Sequence, residues 1–253
     1  MGLHCIAGAA SLLSVETWPW AFGAVAANHL VLGAVGMWPR STMLGPNLTR
    51  LPDAAIARRE IALTFDDGPD PEVTPQVLDI LDANGVRGSF FCIAEHAARH
   101  PELCREIARR GHAVENHSRT HLLDFALRGP GGTRREVAAA QSDLAAITGR
   151  LPRFFRPPAG IRSPFLDPVL HDLGLKLVSW TRRGFDTRRS DVEEVATLLA
   201  AGMAAGDILL MHDGNCARTP DGRPVVLQVL PRIVERAQSL GLRPVTLEHA
   251  IAS

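Results

Sequence analysis

Two carboxylates and two imidazoles are the residues of this 253-residue chain whose types and spacing best suit chemistry. Asp66 and Asp67 are adjacent, directly after the run Ile61-Ala62-Leu63-Thr64-Phe65 and directly before Gly68-Pro69. Neighbours within a strand point to opposite faces, so both acids can share a pocket only where the strand is ending, and Gly-Pro is such an ending. His117 and His121 stand at i and i+4, which lets both rings reach one cation if the segment curls into a helical turn. With one carboxylate they form a three-ligand set that leaves positions for water and substrate, as hydrolysis requires. Such a set fits a divalent metal, zinc first, with manganese, cobalt, iron and nickel as alternatives. Paired acids are common in turns and paired histidines on polar surfaces; the combination is what points to a site.

Two later stretches add candidates. In Phe154-Phe155-Arg156-Pro157-Pro158-Ala159-Gly160 the guanidinium of Arg156 can hold a carboxylate at two points. The stiff Pro157-Pro158 pair can present the backbone N–H of Ala159 to an oxyanion. His212 ends the run Ile208-Leu209-Leu210-Met211; facing a pocket, it can protonate a leaving amine. Lys176 is the only lysine and tyrosine is absent, so any Schiff base would need Lys176, and no tyrosine can act as acid or base.

The elements that must position these residues alternate. Strands are expected at Glu60 to Phe65, Gly88 to Ile93, His112 to Asn116, Arg153 to Arg156, Leu175 to Trp180, Asp207 to His212 and Arg243 to Thr246. Between them lie helices from Thr74, from Pro101 to Arg110, Thr133 to Thr148, Pro164 to Leu173, Asp191 to Ala201 and Val225 to Leu240, several stopped by glycine. About seven β/α units make this an α/β chain with a parallel sheet closed, or nearly closed, into a barrel. Chemistry in such barrels gathers at the C-terminal ends of the strands, where every candidate above falls.

Composition narrows the partners. The chain carries 27 basic and 27 acidic side chains, so it has no broad basic field for nucleic acid. Cys5, Cys92, Cys104 and Cys216 make no C-x-x-C pair and read as small buried hydrophobes, which leaves the compartment open. Residues 1–50 form an apolar N-terminal segment; Ala21 to Trp38 is interrupted only by Asn28 and His29. Its composition suits a membrane anchor, or a helical hairpin split at Trp18-Pro19-Trp20, while a helix packed on the following domain, residues 51–253, is the alternative. Arg40, Arg50, Arg58 and Arg59 all follow the segment; if it inserts, the catalytic part is expected on the cytoplasmic side, and otherwise as a soluble cytoplasmic protein.

Thr64-Phe65-Asp66-Asp67-Gly68-Pro69, His117-Ser118-Arg119-Thr120-His121, Arg156-Pro157-Pro158-Ala159-Gly160 and Leu210-Met211-His212-Asp213, in that order, resemble the successive motifs of the polysaccharide deacetylase family, the NodB-homology or family 4 carbohydrate esterases. The match runs from about Glu60 to the C-terminus. It implies a distorted (β/α) barrel that removes acetyl groups from sugars with a divalent metal. It further implies Asp66 as general base, Asp67, His117 and His121 as metal ligands, Arg156 as orienter of the base, and His212 as general acid. Water activated by the cation and by Asp66 would attack the amide carbonyl, the Ala159 N–H would hold the oxyanion, and His212 would protonate the departing amine.

Two positions depart from the family's pattern. Ala159 replaces a usual tyrosine, which keeps the backbone donor but loses a side-chain wall. Arg183-Gly184-Phe185-Asp186-Thr187 approximates Asp-x-x-Asp-Trp, so Asp186 stands for the second acid while Arg183 and Thr187 replace the Asp and Trp. Without that aromatic platform, an extended chitin or peptidoglycan substrate is less expected than an acetylated amino sugar or short glycan, lipid-linked if the N-terminal segment binds membrane. A deformylase or other amidohydrolase would use the same groups, and a catalytically inactive glycan-binding relative is the third reading. The sequence sets no oligomeric state.

Overall fold

The structure is a computed structural model that describes residues 17–252. Parallel strands β1 (Glu60–Asp66), β2 (Gly88–Cys92), β3 (Ala113–Asn116), β4 (Phe154–Phe155), β5 (Lys176–Leu177), β6 (Arg182–Arg183), β7 (Ile208–His212) and β8 (Arg243–Val245) share one curled sheet. Its order is β5-β4-β3-β2-β1-β7-β6, with β8 beside the first half of β1 at Glu60 to Ala62. The open side is bridged by residues 48–51. Leu48 N–H donates to Leu177 O (3.0 Å), Ser179 N–H donates to Leu48 O (3.0 Å), and Leu51 N–H donates to Gly206 O (2.8 Å). The expected distorted barrel is therefore the observed fold.

Alternation along the strands sorts side chains between two cores. Ile61, Leu63 and Phe65 of β1 face outward, packing with Phe90, Leu209 and Met211 under helices α3 (Thr74–Ala83), α5 (Pro101–Arg109), α8 (Val192–Ala200) and α9 (Val225–Ser239). Ala62 faces inward and meets Phe91, Phe154, Val178 and Ile208 inside the barrel. That parity carries Thr64 and Asp66 up the inner face of β1, and Leu210 and His212 up the inner face of β7. Cys92 and Cys104 are buried in the outer core with free thiols, as their reading as small hydrophobes expects.

Several short pieces depart from expectation. The fifth strand ends at Leu177 instead of Trp180, and the two-residue β6 was not expected at all. Helices α2 (Asp53–Ala57), α4 (Ala94–Arg99) and α10 (Leu247–Ala252) were also missed; none is long enough to show two full turns of apolar periodicity. The remaining helices are α6 (Pro130–Thr148) and α7 (Leu166–Asp172).

Helix α1 (Trp18–Gly36) begins at Trp18-Pro19-Trp20, which forms its first turn. Proline is tolerated there because the first N–H groups of a helix have no intrahelical acceptor. The first arm of the expected hairpin lies outside the described residues. Of α1's nineteen residues only Gly36 is buried, where it accepts from Arg162 N–H at 3.0 Å. The helix is long and apolar enough to cross a membrane, and Trp20, Phe22, Leu30 and Val31 are exposed.

Candidate active site

Asp66 and His212 are Cα partners in the β1–β7 register, so the two inner-face positions meet at the top of neighbouring strands. Immediately after, the chain turns: Asp67 has φ 73°, which swings the second carboxylate to the same side as the first. This is the strand ending that two adjacent acids need in order to share a pocket. Beneath the turn packs Asp213, fully buried, whose Oδ2 accepts from Thr74 Oγ1 at 2.6 Å. A Cβ at Gly68 would lie 2.2 Å from that same oxygen, so only glycine fits there. Burial pushes the Asp213 carboxyl up to about 7. Sequence reasoning assigned Asp213 no role, although it lies in the last quoted motif.

The two histidines come from the loop after β3, and that loop is not a helical turn. Ser118 (φ 67°) and His121 (φ 53°) are left-handed, and this bends the segment enough to bring the rings to a centroid distance of 5.0 Å. Side-chain bonds hold the bend: Ser118 N–H donates to Asn116 Oδ1 (2.9 Å), and His121 N–H donates to Ser118 Oγ (3.1 Å). The unexpected helix α4 completes the support, with Ala94 N–H donating to Ser118 O (3.1 Å) and Glu95 N–H to Arg119 O (3.0 Å).

Asp67 Oδ1 lies 3.2 Å from His117 Nε2 and 3.3 Å from His121 Nε2. The three ligand atoms fall within 4.8 Å of one another. His117 Nδ1–H donates to Arg156 O at 2.7 Å, which fixes the tautomer and leaves Nε2 with its lone pair toward Asp67. Burial, followed by the neighbouring His117, lowers the His121 pKa. Burial opposes ionisation of Asp67, yet His117, His212 and His121 together keep its carboxyl below the ordinary carboxylate range. One carboxylate oxygen and two imidazole nitrogens converging at such spacing fit a divalent cation with open positions.

Arg156 is fully buried and crosses the barrel interior. Its Nη1 donates to Asp66 Oδ1 (2.6 Å) and to Thr64 Oγ1 (3.0 Å), its Nη2 to Ser179 O (3.0 Å), and its plane lies 4.1 Å from the Phe91 ring centroid. Only one guanidinium nitrogen bonds Asp66, so the two-point pair envisaged from sequence becomes one bond plus three anchors. Asp66 Oδ2 sits 3.9 Å from His117 Nε2, facing the cation position. Across the cavity, Asp186 accepts from His212 twice, at Oδ2 from the backbone N–H (2.8 Å) and at Oδ1 from ring Nδ1 (2.8 Å). Burial lowers the His212 pKa, but the Asp186 charge outweighs it and raises the value above that of a free imidazole. Ala159 (φ 54°) lines the same 240 Å³ cavity; Pro158 is buried behind it, fixing the turn.

All nine residues singled out from sequence thus lie in or against one site. Trp180 is buried, as its reading as a core residue expects, and also lines the cavity; sequence reasoning missed that second place and the neighbouring Arg183, Arg188 and Asn215. A larger cavity, 470 Å³, opens at the opposite end of the barrel between Arg87, Arg243 and His249, but it gathers no comparable set of acids and imidazoles.

A parallel (β/α) barrel with a carboxylate–imidazole cluster at the C-terminal strand ends is the arrangement expected of a NodB-type domain. Residues 54–178 match the polysaccharide deacetylase family model. A chitooligosaccharide deacetylase of Bradyrhizobium is 37% identical over 157 residues, 62% of this chain and 71% of that one. A peptidoglycan-N-acetylglucosamine deacetylase of Bacillus cereus is 30% identical over 201 residues, covering 76% of this chain and 87% of the relative. The solved Bc1960 peptidoglycan N-acetylglucosamine deacetylase superposes with a TM-score of 0.73 at 26% identity, over 82% of this chain and 93% of that one. The chain belongs to the polysaccharide deacetylase family and is a carbohydrate deacetylase.

Proposed function

We propose that the protein is a metal-dependent N-deacetylase of an amino sugar or short glycan, held at a membrane surface by α1. The observation that carries this reading is the convergence of Asp67, His117 and His121 beside an Asp66 carboxylate that accepts from Arg156 and faces the same space. Asp67, His117 and His121 would hold the cation, zinc being the best fit to two imidazoles and a carboxylate, and it would supply Lewis acidity toward the acetyl carbonyl and toward water. Asp66 takes the proton from the attacking water, and Arg156 keeps its carboxylate aimed. The Ala159 N–H donates to the oxygen on which negative charge develops. His212, kept protonated by Asp186, gives its proton to the departing amine, and acetate is released.

The membrane part of the reading rests on α1, an apolar and uncharged helix that presents nearly all its side chains outward. Its position before Arg40 and Arg50 favours a catalytic part on the cytoplasmic side and, with it, a lipid-linked substrate. The test is a panel of N-acetylated and N-formylated amino sugars and short glycans, with and without chelator. Chelator-sensitive acetate release supports the reading; formate release in its place makes the protein a deformylase, and release of neither makes it a binder. Flotation with lipid vesicles, comparing the full chain with one starting at Leu51, tests the membrane part.

A further inference from the structure

The charges around the cavity pair off with two exceptions, Arg183 and Arg188. Asp66 is held by Arg156, Asp186 by His212, and Asp67 lies between two imidazoles. Arg183 lines the same cavity, but makes no ion pair among the described residues, and its Nε is buried without a hydrogen-bond acceptor. Its backbone is fixed in β6, in register with Leu210 of β7. Its guanidinium is flanked by two aromatic faces, 5.3 Å from the Trp180 ring centroid and 5.0 Å from that of Phe185. Burial lowers its pKa, which for a guanidinium still leaves a full positive charge. Arg188, exposed, lines the same wall.

A buried donor without an acceptor is costly to keep, and three neighbouring carboxylates that could have satisfied it are committed elsewhere. The stacked, planar fork is the geometry that recognises a planar or tetrahedral oxyanion. Nor is a cation here part of the pattern this chain otherwise resembles, since Arg183 stands where an aspartate is usual. We propose that Arg183, supported by Arg188, forms a subsite for an oxyanion substituent of the substrate, a phosphoryl or carboxylate group borne by the same amino sugar whose N-acyl group enters between Asp66 and His212. This rests on the deacetylase reading above, and narrows its substrate class to anionic amino sugars.

Equilibrium binding separates the two readings. Titration calorimetry on the metal-loaded protein would compare N-acetylglucosamine 1-phosphate, N-acetylmuramic acid and the neutral methyl glycoside of N-acetylglucosamine. At least one anionic sugar is expected to bind tenfold or more tighter than the neutral one; the phosphate arm identifies a phosphoryl group and the muramic arm a carboxylate. Arg183→Gln should erase that preference, Arg183→Lys should retain part of it, and Arg188→Gln should reduce it by about threefold. The retained preference in Arg183→Lys shows that the site still folds. Equal affinities for all three sugars, or a preference that survives Arg183→Gln, would overturn the proposal. If the preference is present but no acyl group is released from any sugar, the deacetylase reading fails while the anion subsite stands.

Discussion

The two ends of the barrel solve the same geometric problem with different residues. At the N-terminal end of the strands, helices turn back into the sheet on left-handed glycines such as Gly111 (φ 82°) and Gly149 (φ 72°). At the C-terminal end, left-handed positions are filled, besides Gly160, by Asp67, Ser118, His121, Ala159, Phe185 and Asn215; among described non-glycine residues with positive φ, only Arg59 lies elsewhere. Each such residue is disfavoured by about 1–2 kcal/mol relative to glycine. At one end the chain takes the unstrained option; at the other it keeps side chains whose chemistry or placement glycine cannot supply. Cavity size points the wrong way here, since the larger hollow is at the unstrained end.

Substitutions at the two ends should therefore differ in kind, and the largest differences are in turnover. Asp66→Asn is expected to lower kcat by about 10²–10⁴-fold, the range for loss of a general base. His121→Ala should lose turnover together with bound metal, read by elemental analysis. Substituting His249 in the opposite cavity should leave kcat within about twofold, and a comparable loss there would break the contrast.

Stability comes next. Arg156→Met removes one partner of a buried pair and should cost about 3–5 kcal/mol in denaturant unfolding. At the N-terminal end, Arg87 and Asp82 are paired at 3.0 Å but substantially exposed, so Arg87→Met should cost less than about 1 kcal/mol.

The pH profile gives a third separation. If His212 is the general acid, activity should fall as pH rises through the His212 pKa, which Asp186 raises against the opposing effect of burial. Asp186→Asn removes the raising charge, and the alkaline limb of kcat/KM should move to lower pH. An unmoved limb would take the acid role away from His212.

The smallest effects sharpen the comparison itself. Gly149→Ala should destabilise by about 1 kcal/mol, whereas Ala159→Gly should leave stability unchanged or raise it by several tenths, and lower kcat. Loss of stability in Ala159→Gly would mean that its φ of 54° is not a site of strain.

Much of this arrangement is legible in the sequence, and what is not has physical causes. Ile61 to Phe65 and Ile208 to Met211 announce themselves because strands covered on both faces are continuously apolar, and the polar residues ending them mark the rim. Helix stops are legible because glycine marks them. The curl of the His117–His121 loop is not, since an i, i+4 spacing fits a helical turn as well as two left-handed residues. Trp180 was assigned to a strand because its apolar neighbours continue the β5 pattern, although pairing ends at Leu177. Arg183 looked only like a departure from a motif; its lack of a partner is a property of the fold.

Arg156 reaches the site twice, through a guanidinium on Asp66 and through a carbonyl on His117. The second contact belongs to the main chain, so it survives whichever amino acid is installed at that position. Mutagenesis there can change how Asp66 is held while the His117 ring keeps its main-chain acceptor. A library at 156 would thus vary the support of one side chain of the site while the other serves as its internal control.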